Sequence, residues 1–492
     1  MGIETKIQAA LRGNPAGNAI AFGDDWVSWS EVSSIAGAID QALDPLHLEP
    51  GARIGLVARN RPPHVAAFAG VLARARNAVM IYSAQSPEAI AADILRLRLP
   101  AIIADAQDWT PATRTAAKAA GSLGIALTGH KDRPVEAVQD PGDDGRSSGQ
   151  PGDPDIAMEL LSSGTTGAPK RVKLLRRTFE LAVEDAAMVY AAAGGSKAAP
   201  GIVFQPLGNI AGVTFLIPFL TDAQPIVLLE QFSVPAWLEA VSRHRPARTS
   251  LPPAALRMIL DQGIPKADLA SLTAIGVGAV PLDPRLQEQF EAAYDIPLLP
   301  AYGATEFCGV VANWTLPMHQ AFGAAKRGSA GRARPGVLFR ITGEDGNVLP
   351  AGEHGILEAL VPRVGPEWIT TTDIASLDAD GFLFLHGRAD GAINRGGFKI
   401  LPETIARRLR AHPAVADAAV IGIPDLRLAA VPVAVVESRP GCTPSEAELL
   451  IFCRQELLSY QIPTQIRIVP VLPRNASMKI NLPAIREMLE AK

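Results

Sequence analysis

The sequence predicts an α/β protein: a large N-terminal domain of stacked βαβ sheets plus a β subdomain, residues 1–389, followed by a small α+β C-terminal domain, residues 390–492. Three observations carry this. From about residue 20 to 301, short β-branched or apolar runs alternate with helix-length segments, the pattern of βαβ units. Past residue 322 the runs shorten and Gly-containing turns intervene, as in antiparallel hairpins. From Asp390 onward roughly 100 residues of mixed pattern remain, enough for a domain with its own core.

In the first block, strands are expected at 53–58, 78–83, 101–104, 202–205, 225–229 and 272–277, with helices between them, for example 87–97, 177–191 and 283–294. Residues 140–155, rich in Gly, Pro, Asp and Ser, read as a solvated connector. The second block places turns at 343–347 and 379–382. In the third, helices are expected at 401–409, 445–458 and 482–489, and strands at 418–423, 431–436 and 465–469.

Composition excludes several function classes. With 48% hydrophobic and 20% charged residues, the 492-residue chain is neither a disordered tail nor a coiled-coil rod. The net charge of −4 comes from 46 basic and 50 acidic residues with no basic stripe, so no nucleic-acid partner is expected. Cys308, Cys442 and Cys453 are odd in number and lack metal-ligand spacing, which argues against a disulfide framework and for a reducing cytoplasm. The most apolar early stretch, 65–82, is broken by Arg74 and Arg76, and the start of the chain shows neither a signal peptide nor, with Lys6 in place of Ser or Thr, a myristoylation signal. No membrane insertion is expected.

The most informative segment is Leu161-Ser162-Ser163-Gly164-Thr165-Thr166-Gly167-Ala168-Pro169-Lys170. Two glycines allow close backbone approach to a ligand, four hydroxyls donate, and one Lys adds a cation, an inventory suited to a polyphosphate. It is not the common G-x-x-x-x-G-K-[ST] loop, because Ala168 follows the second Gly and Pro169 lacks a donor.

The order of these residues resembles the S-S-G-T-T-G-x-P-K-G phosphate loop of the adenylate-forming superfamily, in particular its acyl- and aryl-CoA synthetases. Further segments match in order. Tyr302-Gly303-Ala304-Thr305-Glu306 is similar to the Y-G-x-T-E element. Thr372-Asp373, Asp380-Gly381 and Gly387-Arg388-Ala389-Asp390 are similar to the T/S-G-D…D-G…G-R-x-D run. Gly396-Gly397-Phe398-Lys399 and the segment 412–420 are similar to the opening of the family's small domain. Leu472-Pro473-Arg474-Asn475-Ala476-Ser477-Met478-Lys479-Ile480 resembles the terminal L-P-R-N-x-x-G-K-I motif.

The resemblance implies ATP-dependent activation of a small carboxylic acid to an acyl-adenylate, then thioester formation with coenzyme A (CoA). It implies ATP, Mg²⁺ and CoA as cofactors. The chemistry needs a cation, since a carboxylate and an α-phosphate repel by about 4 kcal/mol at 4 Å with an effective dielectric near 20. Lys479 is expected to supply it. Glu306 is the expected Mg²⁺ ligand and Thr305 a hydroxyl donor to the α-phosphate. Asp373, an acceptor-only group, is expected at the ribose hydroxyls, Arg388 at the ribose or phosphate, and Tyr302, with Gly303 and Ala304, at the adenine. Asp390 is the expected hinge about which the small domain rotates between half-reactions. Gly396 and Gly397 would line a pantetheine tunnel, although a left-handed turn accounts for the same two glycines.

The acid pocket is expected around Asn209, Gly212, Gly278, Cys308 and Gly309, with Cys308 a pocket or core thiol and not a nucleophile. The pattern also breaks in places. Arg171, Thr372 and Met478 stand where Gly is usual, Gly208-Asn209 where an aromatic-His pair is common, Gln461 for a Lys and Thr404 for a Glu. Three functions follow. The first is a free-standing acid–CoA ligase, favoured because the chain ends without a carrier domain. The second is a stand-alone adenylation enzyme loading a carrier-protein thiol, and the third a catalytically silent nucleotide-binding homologue. Monomer and homodimer both stay open.

Overall fold

The computed structural model describes residues 2–130, 132–140, 152–161, 171–192, 199–278 and 280–490. The chain divides into two compact units, one formed by 1–164, 169–249 and 304–309, the other by 165–168, 250–303 and 310–492.

The first unit is built on a seven-stranded sheet in the order Val135–Gln139, Leu123–Leu127, Ala101–Asp105, Arg53–Ala58, Asn77–Tyr82, Ile156–Leu161, Arg171–Leu175. Its central pairs are parallel and its two outermost pairs antiparallel. Strand Arg53–Ala58 shows why the sequence reads as nearly unbroken apolar runs. Ile54 and Leu56 enter one core with Val65, Phe68 and Met80, while Val57 enters a second with Val79, Ile81, Ile94 and Ile102. Both faces are covered, as a parallel sheet requires. Helix Pro62–Ala73 is buried on every side, which explains its lack of a polar face. Helix Pro87–Leu97 starts where Ser86 Oγ accepts from Ala89 N at 3.2 Å and Pro87 presets the first turn, and it ends at Arg98 in the left-handed region.

A four-stranded sheet, Gly201–Val203, Ile226–Leu228, Asn18–Phe22 and Asp25–Ser28, completes the unit. Deep in the large sheet, Glu159 is 1% exposed and accepts from Arg53 Nε at 2.7 Å, Arg53 Nη2 at 2.9 Å and Asn77 Nδ2 at 3.1 Å. Leu161 and Arg171 face each other in register on neighbouring strands.

The second unit carries three sheets. One includes Ala274–Val277, Leu298–Ala304 and Gly309–Asn313 as neighbours. The β subdomain is an antiparallel sheet of Leu338–Thr342, Gly355–Leu360, Trp368–Leu377 and Leu383–Arg388. The turn at 379–382 joins its last two strands directly, with Gly381 at φ +78. The turn at 343–347 instead closes only the Thr342–Val348 bridge, and the pairing strand begins at Gly355.

The C-terminal sheet runs Phe398–Ile400, Ile393–Arg395, Ala429–Ser438, Val415–Asp425, with Gln465–Val469 parallel to Ala429–Ser438. Helices Pro402–Arg410 and Glu446–Arg454 pack on one face and Leu482–Glu490 on the other. The helix expected over 445–458 stops at Arg454. At its end the Phe452 carbonyl accepts from Arg408 Nε at 3.1 Å and Nη2 at 2.7 Å and from Gln455 N at 3.4 Å, so Arg408 occupies the carbonyl that a further helical turn would use. Among the described residues no helix is long and apolar enough to cross a membrane.

Candidate active site

In the second unit the structure brings together five of the residues singled out in the sequence. Strand Leu298–Ala304 carries Tyr302, and its phenolic Oη donates to Asp373 Oδ2 at 2.5 Å. Asp373 lies on strand Trp368–Leu377, directly opposite Arg388 on the neighbouring strand. Arg388 grips Asp390 with both Nε, at 2.9 Å, and Nη2, at 2.7 Å, a bidentate pair that fixes the plane of the guanidinium. Thr372, where Gly is usual, contributes its carbonyl, which accepts from Ala389 N at 2.7 Å.

Lys479 enters on a tight hairpin closed by the Arg474–Ile480 bridge. Asn475 shapes it: Oδ1 accepts from Ser477 N at 3.0 Å and Lys479 N at 3.1 Å. Arg474 anchors it through Nη2 to Asp417 Oδ2 at 2.7 Å. Met478 adopts φ +60, which explains why Gly is the usual residue there. The Lys479 ammonium is partly buried, and burial pushes its pKa below the ordinary lysine value. The Arg388 charge pushes the same way and Asp373 opposes it, so the three groups share one electrostatic neighbourhood. Tyr302 is pushed upward, first by burial and then by the Asp373 charge, so its hydroxyl stays protonated.

Gly396 and Gly397, at φ +57 and +92, form the two-residue turn between strands whose last pair is Arg395–Phe398. Two positive φ angles match a type I′ hairpin, so the turn by itself favours glycine at both positions. Gly278, after strand Ala274–Val277, is open: a Cβ there would meet nothing within 4 Å.

In the first unit, the turn Thr305–Cys308 continues from that strand's last residue, Ala304, with Cys308 N donating to Thr305 O at 2.9 Å. Glu306 is exposed on it, Thr305 partly exposed, and Cys308 fully buried in the core at φ +54. Cys308 is thus a core thiol. Asn209 opens helix Ile210–Thr221, its carbonyl accepting from Val213 N at 3.1 Å. Gly309 lies against that helix, where a Cβ would sit 3.6 Å from Thr214 Cγ2. Gly212 serves packing: a Cβ would fall 2.2 Å from the Pro206 carbonyl oxygen.

Ser162, Ser163, Gly164, Thr165, Thr166, Gly167 and Lys170 lie outside the described residues. Arg171, the departure that follows them, donates from Nη1 to Met80 O at 3.1 Å.

Asn475 and Thr371 received no role from the sequence. Thr371 Oγ1 accepts from Asp373 N at 3.0 Å and donates to Leu357 O at 2.8 Å. An Asn two residues before a Ser is a turn signal that could have marked Asn475. Nothing local marks Thr371, whose role depends on strand pairing.

Residues 7–361 match the family model for AMP-binding enzymes, and residues 405–479 the model for the AMP-binding enzyme C-terminal domain, which ends on Lys479. The 2-succinylbenzoate–CoA ligase of Bacillus velezensis is 31% identical over 68% of this chain and 69% of its own length. The 4-coumarate–CoA ligase-like 5 protein of Oryza sativa subsp. japonica is 28% identical over 66% of this chain, which spans 61% of that relative's length. Among solved structures, the anthranilate CoA ligase AuaEII in complex with anthranoyl-AMP superimposes with a TM-score of 0.81 at 22% identity, covering 99% of this chain and 97% of that one. The chain belongs to the AMP-binding enzyme family.

Proposed function

We propose that this chain activates a carboxylic acid with ATP to give an acyl-adenylate and pyrophosphate, then passes the acyl group to CoA with release of AMP. The observation that carries the reading is the shared neighbourhood of Lys479, Asp373 and Arg388, with Tyr302 bonded to Asp373. A desolvated ammonium beside a nucleotide-holding carboxylate is what the first step needs. In that step a carboxylate oxygen bonds to the α-phosphorus and the bond to pyrophosphate breaks. Lys479 lies between the two anions, Asp373 accepts the ribose hydroxyls, and Thr305 donates to an α-phosphate oxygen. In the second step the CoA thiol gives its proton to solvent, its sulfur bonds to the acyl carbon, and the bond from that carbon to the AMP phosphate oxygen breaks.

The segment 162–170 is assigned the β- and γ-phosphates on its composition. Glu306, an exposed carboxylate on a turn, would hold Mg²⁺ together with phosphate oxygens, a donor set suited to a hard cation that keeps few protein ligands. Bound there, the ion would neutralise charge on the departing pyrophosphate. Among the described residues no cluster of three or more His, Cys, Asp or Glu offers an all-protein metal cage.

Residues 390–492 are the small domain in this reading, Asp390 its hinge, and Gly396-Gly397 the close approach for pantetheine. Asn209, Gly278 and Gly309 are assigned to the acid on the resemblance. Three free thiols support a reducing cytoplasm as its setting.

The test is acid-dependent ATP–pyrophosphate exchange over a panel of acids, with mass detection of the adenylate. Acids bearing an aromatic ring come first, because 4-coumarate and 2-succinylbenzoate stand in the names of two of the relatives. CoA and a phosphopantetheinylated carrier protein are then compared as acceptors. Absence of exchange with every acid, in protein that binds ATP, sinks the proposal.

A further inference from the structure

The phenol–carboxylate bond carries a further step, which rests on the nucleotide reading above. Asp373 stands among positive charges, with Lys479 within electrostatic reach and Arg388 directly opposite across the strand pair. Arg388 is itself paired bidentately with Asp390, and the Asp373 carboxylate takes its hydrogen bond from Tyr302, whose Oη holds Oδ2 at 2.5 Å. That bond restrains the carboxylate against rotation, while the backbone N–H of Asp373, donating to Thr371 Oγ1, fixes the strand beneath it. Tyr302 itself is rigid, 8% exposed in strand Leu298–Ala304.

We infer that the Tyr302 hydroxyl is a positioning group: it fixes the Asp373 carboxylate in the orientation that accepts the ribose hydroxyls, and so sets the preference for a ribonucleotide. The acceptor count permits this. A carboxylate offers about four lone-pair sites, so the bond from Tyr302 leaves room for two ribose hydroxyls. Burial and the nearby Asp373 charge keep the phenol protonated, so it remains a donor throughout the working pH range.

The experiment uses the full chain, AMP and 2′,3′-dideoxy-AMP, with affinities measured by calorimetry. Tyr302→Phe keeps the ring and removes only the hydroxyl. It is expected to weaken AMP about tenfold, or ~1.4 kcal/mol, and to leave the dideoxy analogue within about twofold of wild type. Equal weakening of both ligands, as a merely structural role would produce, overturns the inference, and so does unchanged AMP affinity. In a second comparison, the double variant Asp373→Ala/Tyr302→Phe, with no carboxylate left to position, should bind AMP within about twofold of Asp373→Ala alone. A further tenfold loss would show that the phenol acts independently of Asp373. Wild-type protein that does not bind AMP at all would overturn the nucleotide reading instead.

Discussion

Replacing Lys479 by Ala tests the centre of the proposed chemistry. The cation separates two anions that repel by about 4 kcal/mol at 4 Å in an effective dielectric near 20. At about 1.36 kcal/mol per factor of ten, losing it should slow adenylation by roughly a thousandfold. The hairpin carrying the residue is held by backbone bonds to Asn475 Oδ1 and by Arg474–Asp417, none of which uses the lysine side chain. The variant should therefore keep its thermal midpoint. Acid-dependent pyrophosphate exchange reads the first step, and thioester formation from a chemically made acyl-adenylate reads the second. The expected pattern is a thousandfold loss in exchange with less than about a tenfold loss in thioester formation. Because burial lowers the ammonium's pKa, wild-type exchange should also fall on the alkaline side at a pH below the ordinary lysine value. Exchange in Lys479→Ala within about tenfold of wild type would refute the reasoning.

Four further outcomes are expected. Met478→Gly removes a side chain from a left-handed position and should stabilise the fold by about 1 kcal/mol, measured by denaturant unfolding, with exchange activity retained. Gly212→Ala drives a Cβ to 2.2 Å from the Pro206 carbonyl and should destabilise by about 1–3 kcal/mol, read as a lowered thermal midpoint. Glu159→Gln leaves the Arg53 guanidinium without its buried counter-charge and should cost about 3–5 kcal/mol, by the same measurement. His386 is pushed down to about 4 by burial, then by His354 and Arg407. Its folded form resists a proton that the unfolded chain accepts, so stability should be full above the ordinary histidine pKa and fall as pH drops toward about 4. His386→Gln should flatten that slope in unfolding curves taken across the window.

Most of the fold was legible because parallel strands with two covered faces leave apolar runs. Residues 53–58, 87–97 and 465–469 match the elements to the residue. Where the reading ran long, as at 445–458, the stop comes from a side chain far away in sequence, Arg408. The glycine pair 396–397 was visible, and the type I′ turn between strands Ile393–Arg395 and Phe398–Ile400 supplies its physical reason. Tyr302, Asp373, Arg388, Asp390 and Lys479 could be picked from the chain because each sits in a recognisable motif. Their bonds could not, since Tyr302–Asp373 spans 71 residues and joins strands of two different sheets. Gly212 was expected at the acid; that a Cβ there would also meet the Pro206 backbone is a constraint only the third dimension supplies.

The rung formed by Leu161 and Arg171 has a consequence for redesign. Lengthening the intervening nine-residue segment is thermodynamically mild, about 0.6 kcal/mol for each doubling, because closure entropy grows only with the logarithm of length. Slipping either flank by a single residue is severe, since it reverses which sheet face every following side chain occupies. Grafts at this edge keep the fold where the parity of the anchoring strands is kept, and keep the proposed activity only where they also spare the phosphate-binding residues of 162–170.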